Sequence, residues 1–247
     1  MTLADGPQNG PSGGWLPDPG RSSPGTTSTY AAQKAADFAS FVAAKSAQAE
    51  ISPSESYMLF LNEYHQKTTY YCLVAAIQSL LNTYFGGYVT GGIAAGQNAI
   101  ATATNTTTGG TYNGPAISYT NQQISKHPRT PSDWLYVSST TTSATQLWNR
   151  VLYDVGYGWP TYVMVNWNST YWPDHGSGAG VGHATLAFGW ADPNTIDGYD
   201  PWSYLKSDRT CYFGPGYTST PDRACYVQLS RSTYYQTTIG GWNIQWY

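Results

Sequence analysis

Cys72 is the residue of this chain best placed to act as a nucleophile. It begins the run CLVAAIQSLLNTYF, whose apolar residues recur at helical spacing until Gly86 and Gly87 end the pattern. A cysteine attacks a carbonyl carbon as the thiolate, and the positive end of a helix dipole favours that negative charge. The sequence therefore predicts a buried central helix that starts at or just before Cys72 and places its thiol for chemistry.

His183 and Asp200 are the predicted partners of this thiol. A thiol nucleophile needs an imidazole that takes up its proton and later passes a proton to the leaving group. His183 begins the strand pattern HATLAFGW directly after the small residues GSGAGVG, where a substrate backbone has room to approach. The pattern TIDGYDPW follows the turn residues ADPN, so antiparallel pairing would bring Asp200 beside His183. A carboxylate there would hold the imidazole in the tautomer that catalysis requires.

Gln66 is predicted to stabilise the negative charge that develops during the reaction. It precedes Cys72 by six residues, in the segment QKTTYYC that leads into the helix. Its side-chain amide could donate, together with the backbone N–H of Cys72, to the negative oxygen that develops on an attacked carbonyl. A plain surface amide is the alternative interpretation of Gln66.

The other site residues also have alternatives that the sequence leaves open. Free cysteine is among the most buried residue types, so Cys72 could be an inert thiol of the core. Asp200 could simply initiate a turn, because Pro201 follows it. The rival carboxylates are Asp174 and, in the predicted turn, Asp192 and Asp197. The rival histidines are His65, His127 and His175, of which His175 shares a loop with His183 and is the most serious.

The elements that must position these residues follow an order of helices first and strands later. Helices are predicted over 30–50 and 143–158, the second capped by Ser143, with weaker helical stretches over 92–101 and 117–126. Strands are predicted over 57–64, 161–167, 183–190, 195–202, 224–230 and 233–239. Because no βαβ alternation occurs, the predicted fold class is α+β with an antiparallel sheet.

The chain is predicted to consist of one larger domain preceded by two smaller segments. Residues 1–28 are rich in Gly, Pro and Ser and lack periodicity, which predicts a disordered or loosely attached segment. Residues 29–55 contain an Ala-rich helix that either packs on the domain or is the remnant of a pro-segment. Residues 56–247 form the domain that carries the predicted site.

The composition of the chain indicates which kinds of molecule the protein binds. The net charge is −3 with 11 Lys and Arg and no basic run, which argues against nucleic acid as a partner. No apolar stretch is long enough to span a membrane, and the scattered histidines and cysteines predict no metal site and no other cofactor. A peptide or protein substrate and a monomeric state are the remaining expectations.

The surface chemistry and the cysteines favour an extracellular protein. Only 10% of the residues are charged, and 22 Tyr and 10 Trp stand among many hydroxyls and amides. Cys211 and Cys225 bracket the turn-rich loop CYFGPGYTSTPDRAC, and a disulfide between them would leave Cys72 unpaired. Three free cysteines in a cytoplasmic protein are the alternative. Residues 1–26 lack the basic and apolar regions of a signal peptide.

Taken together, these segments resemble the papain-like cysteine peptidases, and more narrowly their bacteriocin-leader peptidase-like (double-glycine peptidase-like) group, common among secreted bacterial proteins. The matching segments are QKTTYYC with its helix, VLYDVGYGWPTYVMVNW, GHATLAFGW and the Asp-Pro of GYDPW, within roughly residues 57–203. The resemblance implies a papain-like fold in which Gln66, Cys72, His183 and Asp200 are oxyanion donor, nucleophile, base and orienting acid. One departure is that Leu73 and Val74 stand where the family has Gly-Pro, which shapes the start of its nucleophile helix.

The expected activity is hydrolysis of peptide bonds through a thioester on Cys72. Two other functions fit the same residues. An amine in place of water would make the protein an acyltransferase or transpeptidase, and a degenerate scaffold with an unreactive Cys72 would be a secreted binding module.

Overall fold

The computed structural model describes residues 15–16, 28–47, 56–64, 66–85, 96–126, 134–167, 181–201, 226–238 and 244–247. Within them the chain forms helices α1 to α6 and strands β1 to β9. The helices, in chain order, are Ser28–Ala47, Cys72–Phe85, Gln97–Ala103, Asn113–Lys126, Ala144–Gly156 and Arg231–Thr238. The strands are Trp15–Leu16, Tyr57–Met58, Thr111–Tyr112, Ser138–Thr140, Thr161–Trp167, Val181–Asp192, Thr195–Tyr199, Tyr226–Ser230 and Ile244–Trp246.

An antiparallel sheet of seven strands is the largest element of the described chain, and it confirms the predicted combination of helices with such a sheet. Its order is β4-β9-β5-β6-β7-β8, and β2 also pairs with β6. The long strand β6 is central, because it pairs antiparallel with β5 on one side and with β7 on the other. Strands β1 and β3 form a separate parallel pair of two residues each.

Helix α2 is the core of one face of the sheet, as its apolar sequence predicts. All of its residues from Cys72 to Asn82 are buried. Its apolar side chains share one hydrophobic cluster with Tyr162 of β5, Leu186 of β6 and Trp246 of β9. Burial on this scale fixes the first residue of the helix with respect to the strands beneath it.

The opposite face of the sheet is covered by α5 and α6. Leu147 of α5 and Tyr234 of α6 belong to a second cluster, which also contains Val163 of β5 and Ile196 of β7. Because side chains alternate along a strand, Tyr162 and Val163 serve opposite faces. Helix α5 confirms the prediction over 143–158, including its cap, since Ser143 Oγ accepts from Gln146 N–H at 3.1 Å.

The prediction of a strand over 233–239 is wrong, because residues Arg231–Thr238 form α6. Alternating Tyr and Thr favour a strand by propensity. Ser230 Oγ, however, accepts from the backbone N–H of Thr233 at 3.1 Å and thereby caps a helix. Helical spacing then buries Tyr234, Thr237 and Thr238 together.

Helix α1 is attached to the domain through a buried lysine. The Lys34 side chain is 3% exposed, and its Nζ donates to the backbone oxygen of Leu135 at 2.6 Å. The same Nζ lies 3.5 Å from the centre of the Trp134 ring, within cation–π range. Burial lowers the pKa of Lys34 to about 7, against the opposing charge of Asp154. Although α1 has 20 residues, no described helix is long and apolar enough to cross a membrane.

The Lys34→Ala variant is therefore expected to lose about 2–3 kcal/mol of unfolding free energy, because it removes a buried hydrogen bond and a ring contact together. Urea unfolding followed by tryptophan fluorescence measures this loss. Lys45→Ala, in the last turn of the same helix, is the matched control and is expected to change stability by less than about 0.5 kcal/mol. Equal losses in the two variants would show that Lys34 does not anchor the helix.

Candidate active site

Cys72 is the first residue of α2 and its thiol is completely buried, with 0% exposure. The segment before it turns into the helix, since Tyr71 N–H donates to the oxygen of Thr68 and Ala75 N–H donates to the oxygen of Tyr71. The backbone N–H of Ala184, on β6, donates to Cys72 Sγ at 3.3 Å. The helix terminus and this N–H both place positive partial charge near the sulfur.

His183 and Asp200 form a buried pair at the ends of neighbouring strands. His183 Nε2 lies 2.6 Å from Asp200 Oδ1, and the two side chains are 1% and 0% exposed. The hairpin of β6 and β7 brings them together, with Leu186 opposite Tyr199 in the antiparallel register. The sequence prediction that the turn would place Asp200 beside His183 therefore agrees with the observed geometry.

The charge state of His183 depends on both of its neighbours. Burial, the largest single influence, lowers the pKa of His183, but the charges of Asp200 and Cys72 and hydrogen bonds to both raise it to about 10. Because Asp200 holds Nε2, Nδ1 is the ring nitrogen that remains to interact with Cys72. The arrangement thus favours a protonated imidazole beside Cys72 and Asp200 at neutral pH.

Gln66 lies beside this group and its side chain is buried. Its backbone N–H donates to the oxygen of Pro201, the residue after Asp200, at 2.9 Å. Its side-chain Nε2 donates to the oxygen of Thr68 at 2.7 Å, within the segment that leads to Cys72. A primary amide has two N–H donors, so this bond leaves one for another acceptor. Gln66 is therefore not a plain surface amide, and its 4% exposure places it in the interior.

A hydroxyl network that the sequence did not suggest joins the elements of the site. Ser79 Oγ of α2 donates to the Tyr199 hydroxyl at 2.9 Å and accepts from Tyr64 N–H at 3.1 Å. The Tyr199 hydroxyl in turn donates to the backbone oxygen of Tyr64. Tyr199 immediately precedes Asp200, so the network ties the end of β7 to α2. The only sequence feature that could have indicated this network is the serine within the apolar run of the helix.

The rival candidates are not brought to Cys72 by the described structure. Asp192 is exposed and its carboxylate accepts from the backbone N–H of Asn194 and the hydroxyl of Thr195 in the turn after β6. Asp197 was assigned to that turn, but it lies within β7, in the segment 195–202 that was also predicted as a strand, and it accepts from Gln228 Nε2 at 3.0 Å. His65, His127, His175, Asp174, Cys211 and Cys225 lie outside the described residues.

The assembled group contains the parts that thiol nucleophilic catalysis needs: a thiol at a helix terminus, an imidazole beside it, and a carboxylate that holds the imidazole. Comparisons with known proteins add no family to this description. No family model matches the chain, and no curated protein or solved structure proved significantly similar to it.

Proposed function

We propose that this protein is a cysteine peptidase with a papain-like fold, and that Cys72, His183 and Asp200 are its catalytic triad. The observation that carries the proposal is the buried contact of Asp200 with His183 Nε2, next to a thiol at the N-terminus of a buried helix. The helix that begins with the cysteine packs on an antiparallel sheet, with His183 on β6 and Asp200 directly after β7, and this arrangement also supports the papain-like fold. Secretion remains a prediction from composition.

The proposed reaction begins with attack of the Cys72 thiolate on a peptide carbonyl carbon. A bond forms from Sγ to carbon, and the carbonyl oxygen becomes an oxyanion that the free N–H of Gln66 Nε2 and the Cys72 backbone N–H stabilise. The proton on His183 Nδ1 passes to the leaving nitrogen as the C–N bond breaks, which leaves a thioester. Nδ1 then accepts a proton from water as the water oxygen attacks the thioester carbon. The C–S bond breaks with its electron pair on sulfur, which releases the acid and restores the thiolate and imidazolium.

An amine is the second candidate acceptor for the thioester. An amine that binds beside the thioester and attacks it in place of water would make the enzyme an acyltransferase. Leu73 and Val74, which are 0% exposed, are part of the core and do not line an open cleft, so the departure from Gly-Pro serves packing here.

Mass spectrometry of a peptide mixture treated with the protein tests both functions. We expect new fragments with free carboxyl termini, and their loss after iodoacetamide alkylates Cys72. With glycine amide added, an acyltransferase would yield fragments that carry the amide, whereas a peptidase would still yield free acids. Fragments that persist after complete alkylation would exclude a thiol mechanism, and no fragments at all would favour a binding module.

A further inference from the structure

We propose that Gln97, on α3, is a positioning residue that holds Gln66 in place for the reaction. The inference rests on the proposed function, in which Gln66 donates to the oxyanion. Gln97 Oε1 accepts the backbone N–H of Lys67, the residue after Gln66, at 2.8 Å. Gln97 Nε2 donates to Gln78 Oε1 of α2 at 2.9 Å, and both glutamines are buried. A chain of amides thus runs from the helix of Cys72, through α3, to the backbone beside Gln66.

The backbone at Gln66 is held by two different parts of the fold. The N–H of Gln66 donates to the oxygen of Pro201, at the end that carries Asp200, whereas the next N–H, of Lys67, is bonded to Gln97. The first bond fixes Gln66 relative to His183 and Asp200. The second fixes it relative to α2, because Gln97 is itself bonded to Gln78 on that helix.

Packing alone does not explain two glutamines between α2 and α3. A buried amide loses its hydration and recovers it only through hydrogen bonds, so apolar side chains of similar size would join two helices at lower cost. Gln78 lies among buried apolar residues of α2, with Ile77 and Leu80 near it in sequence. What the amide pair adds is a fixed acceptor for the Lys67 N–H.

The position of Gln66 matters most in the transition state, because the oxyanion is absent from the bound substrate. A displaced donor therefore lowers kcat and leaves KM nearly unchanged. Displacements of about 1 Å cost up to about 100-fold in rate when they disturb a catalytic group. A residue with a purely structural role would lower the stability of the protein without this kinetic signature.

Steady-state kinetics of full-length variants test the inference. We expect Gln97→Met to lower kcat about 10- to 100-fold with KM within about twofold. In a Gln66→Ala background the same substitution is expected to have no further effect, since the donor that it positions is gone. Gln97→Glu keeps an acceptor for the Lys67 N–H, and Gln78 can turn its amide to donate, so this variant is expected to recover most of kcat.

Asn121→Leu is the matched control. Asn121 is a buried amide on α4 that accepts the backbone N–H of Tyr136 at 2.8 Å, as Gln97 accepts that of Lys67, but in a different part of the core. It is expected to lower Tm with kcat unchanged. The inference is overturned if Gln97→Met leaves kcat unchanged. It is also overturned if this substitution lowers kcat by the same factor in the Gln66→Ala background as in the wild type. A wild-type protein without Cys72-dependent turnover would instead overturn the proposed function, and this inference with it.

Discussion

Cys72→Ala is expected to reduce peptide hydrolysis by at least about 1,000-fold, to the level of the uncatalysed control. The alanine side chain cannot form the thioester, and the described residues contain no second cysteine to replace Cys72. Turnover measured by mass spectrometry of released fragments, at equal concentrations of folded protein, gives the size of the loss.

The fold is expected to survive this substitution, because alanine fits a buried helix terminus and replaces only one atom, the sulfur. Circular dichroism and Tm of Cys72→Ala should therefore equal or exceed those of the wild type. Cys72→Ser, which keeps a hydroxyl of similar shape, is expected to be almost as inactive, because a serine hydroxyl does not ionise at this site. Retention of activity by either variant would exclude Cys72 as the nucleophile.

His183→Ala is expected to slow alkylation of Cys72 by iodoacetamide about 100-fold at pH 6, together with the loss of hydrolysis. In the wild type His183 lies beside the thiol and can take its proton, whereas the variant thiol has lost that base. Rates measured by intact-mass spectrometry between pH 5 and pH 9 are expected to be nearly level in the wild type and to rise steadily in the variant.

Asp200→Asn is the control for this experiment, because it keeps the imidazole and nearly the same packing. Removal of the carboxylate takes away the larger of the two charges that raise the pKa of His183. The rate of labelling should therefore show a pH profile between those of the wild type and His183→Ala. If all three proteins label with the same pH profile, Cys72 is a structural thiol without a paired base.

The contact of His183 with Asp200 also predicts how the stability of the protein depends on pH. The folded pKa of His183, about 10, is above the unfolded value of about 6.5. The folded state therefore holds its proton more tightly, and the stabilisation is complete below about pH 6.5. It is lost as the pH rises through about 10, so the wild type should lose more stability than His183→Ala over that interval.

Local patterns in the sequence were sufficient to predict the parts of the site that depend on neighbouring elements. His183 and Asp200 meet through a single hairpin, and the turn ADPN between two alternating patterns indicates that hairpin directly. The start of α2 at Cys72 follows from one apolar run and was also predicted. Each of these features needs only contacts between segments close in sequence.

The features that were missed depend on contacts between distant segments. Gln97 and Ser79 make their contacts only once α3 and β7 have packed against α2. Nothing in the sequence around either residue indicates that its partner is Gln78 or Tyr199. Helix α6 was mistaken for a strand because the cap at Ser230 outweighs the β-propensity of Tyr and Thr. The predicted disulfide of Cys211 and Cys225 lies outside the described residues and remains a prediction.

The contact of Ala184 N–H with Cys72 Sγ joins residues 112 positions apart in the chain. During synthesis at about 5–20 residues per second, the thiol therefore leaves the ribosome about 6–20 s before the strand that completes its surroundings. Until β6 has joined the sheet, the chain carries an ordinary cysteine with no imidazole beside it. If the proposed function is right, a newly made chain cannot cleave its neighbours before the sheet closes, and recovery of fast alkylation after refolding would time that closure.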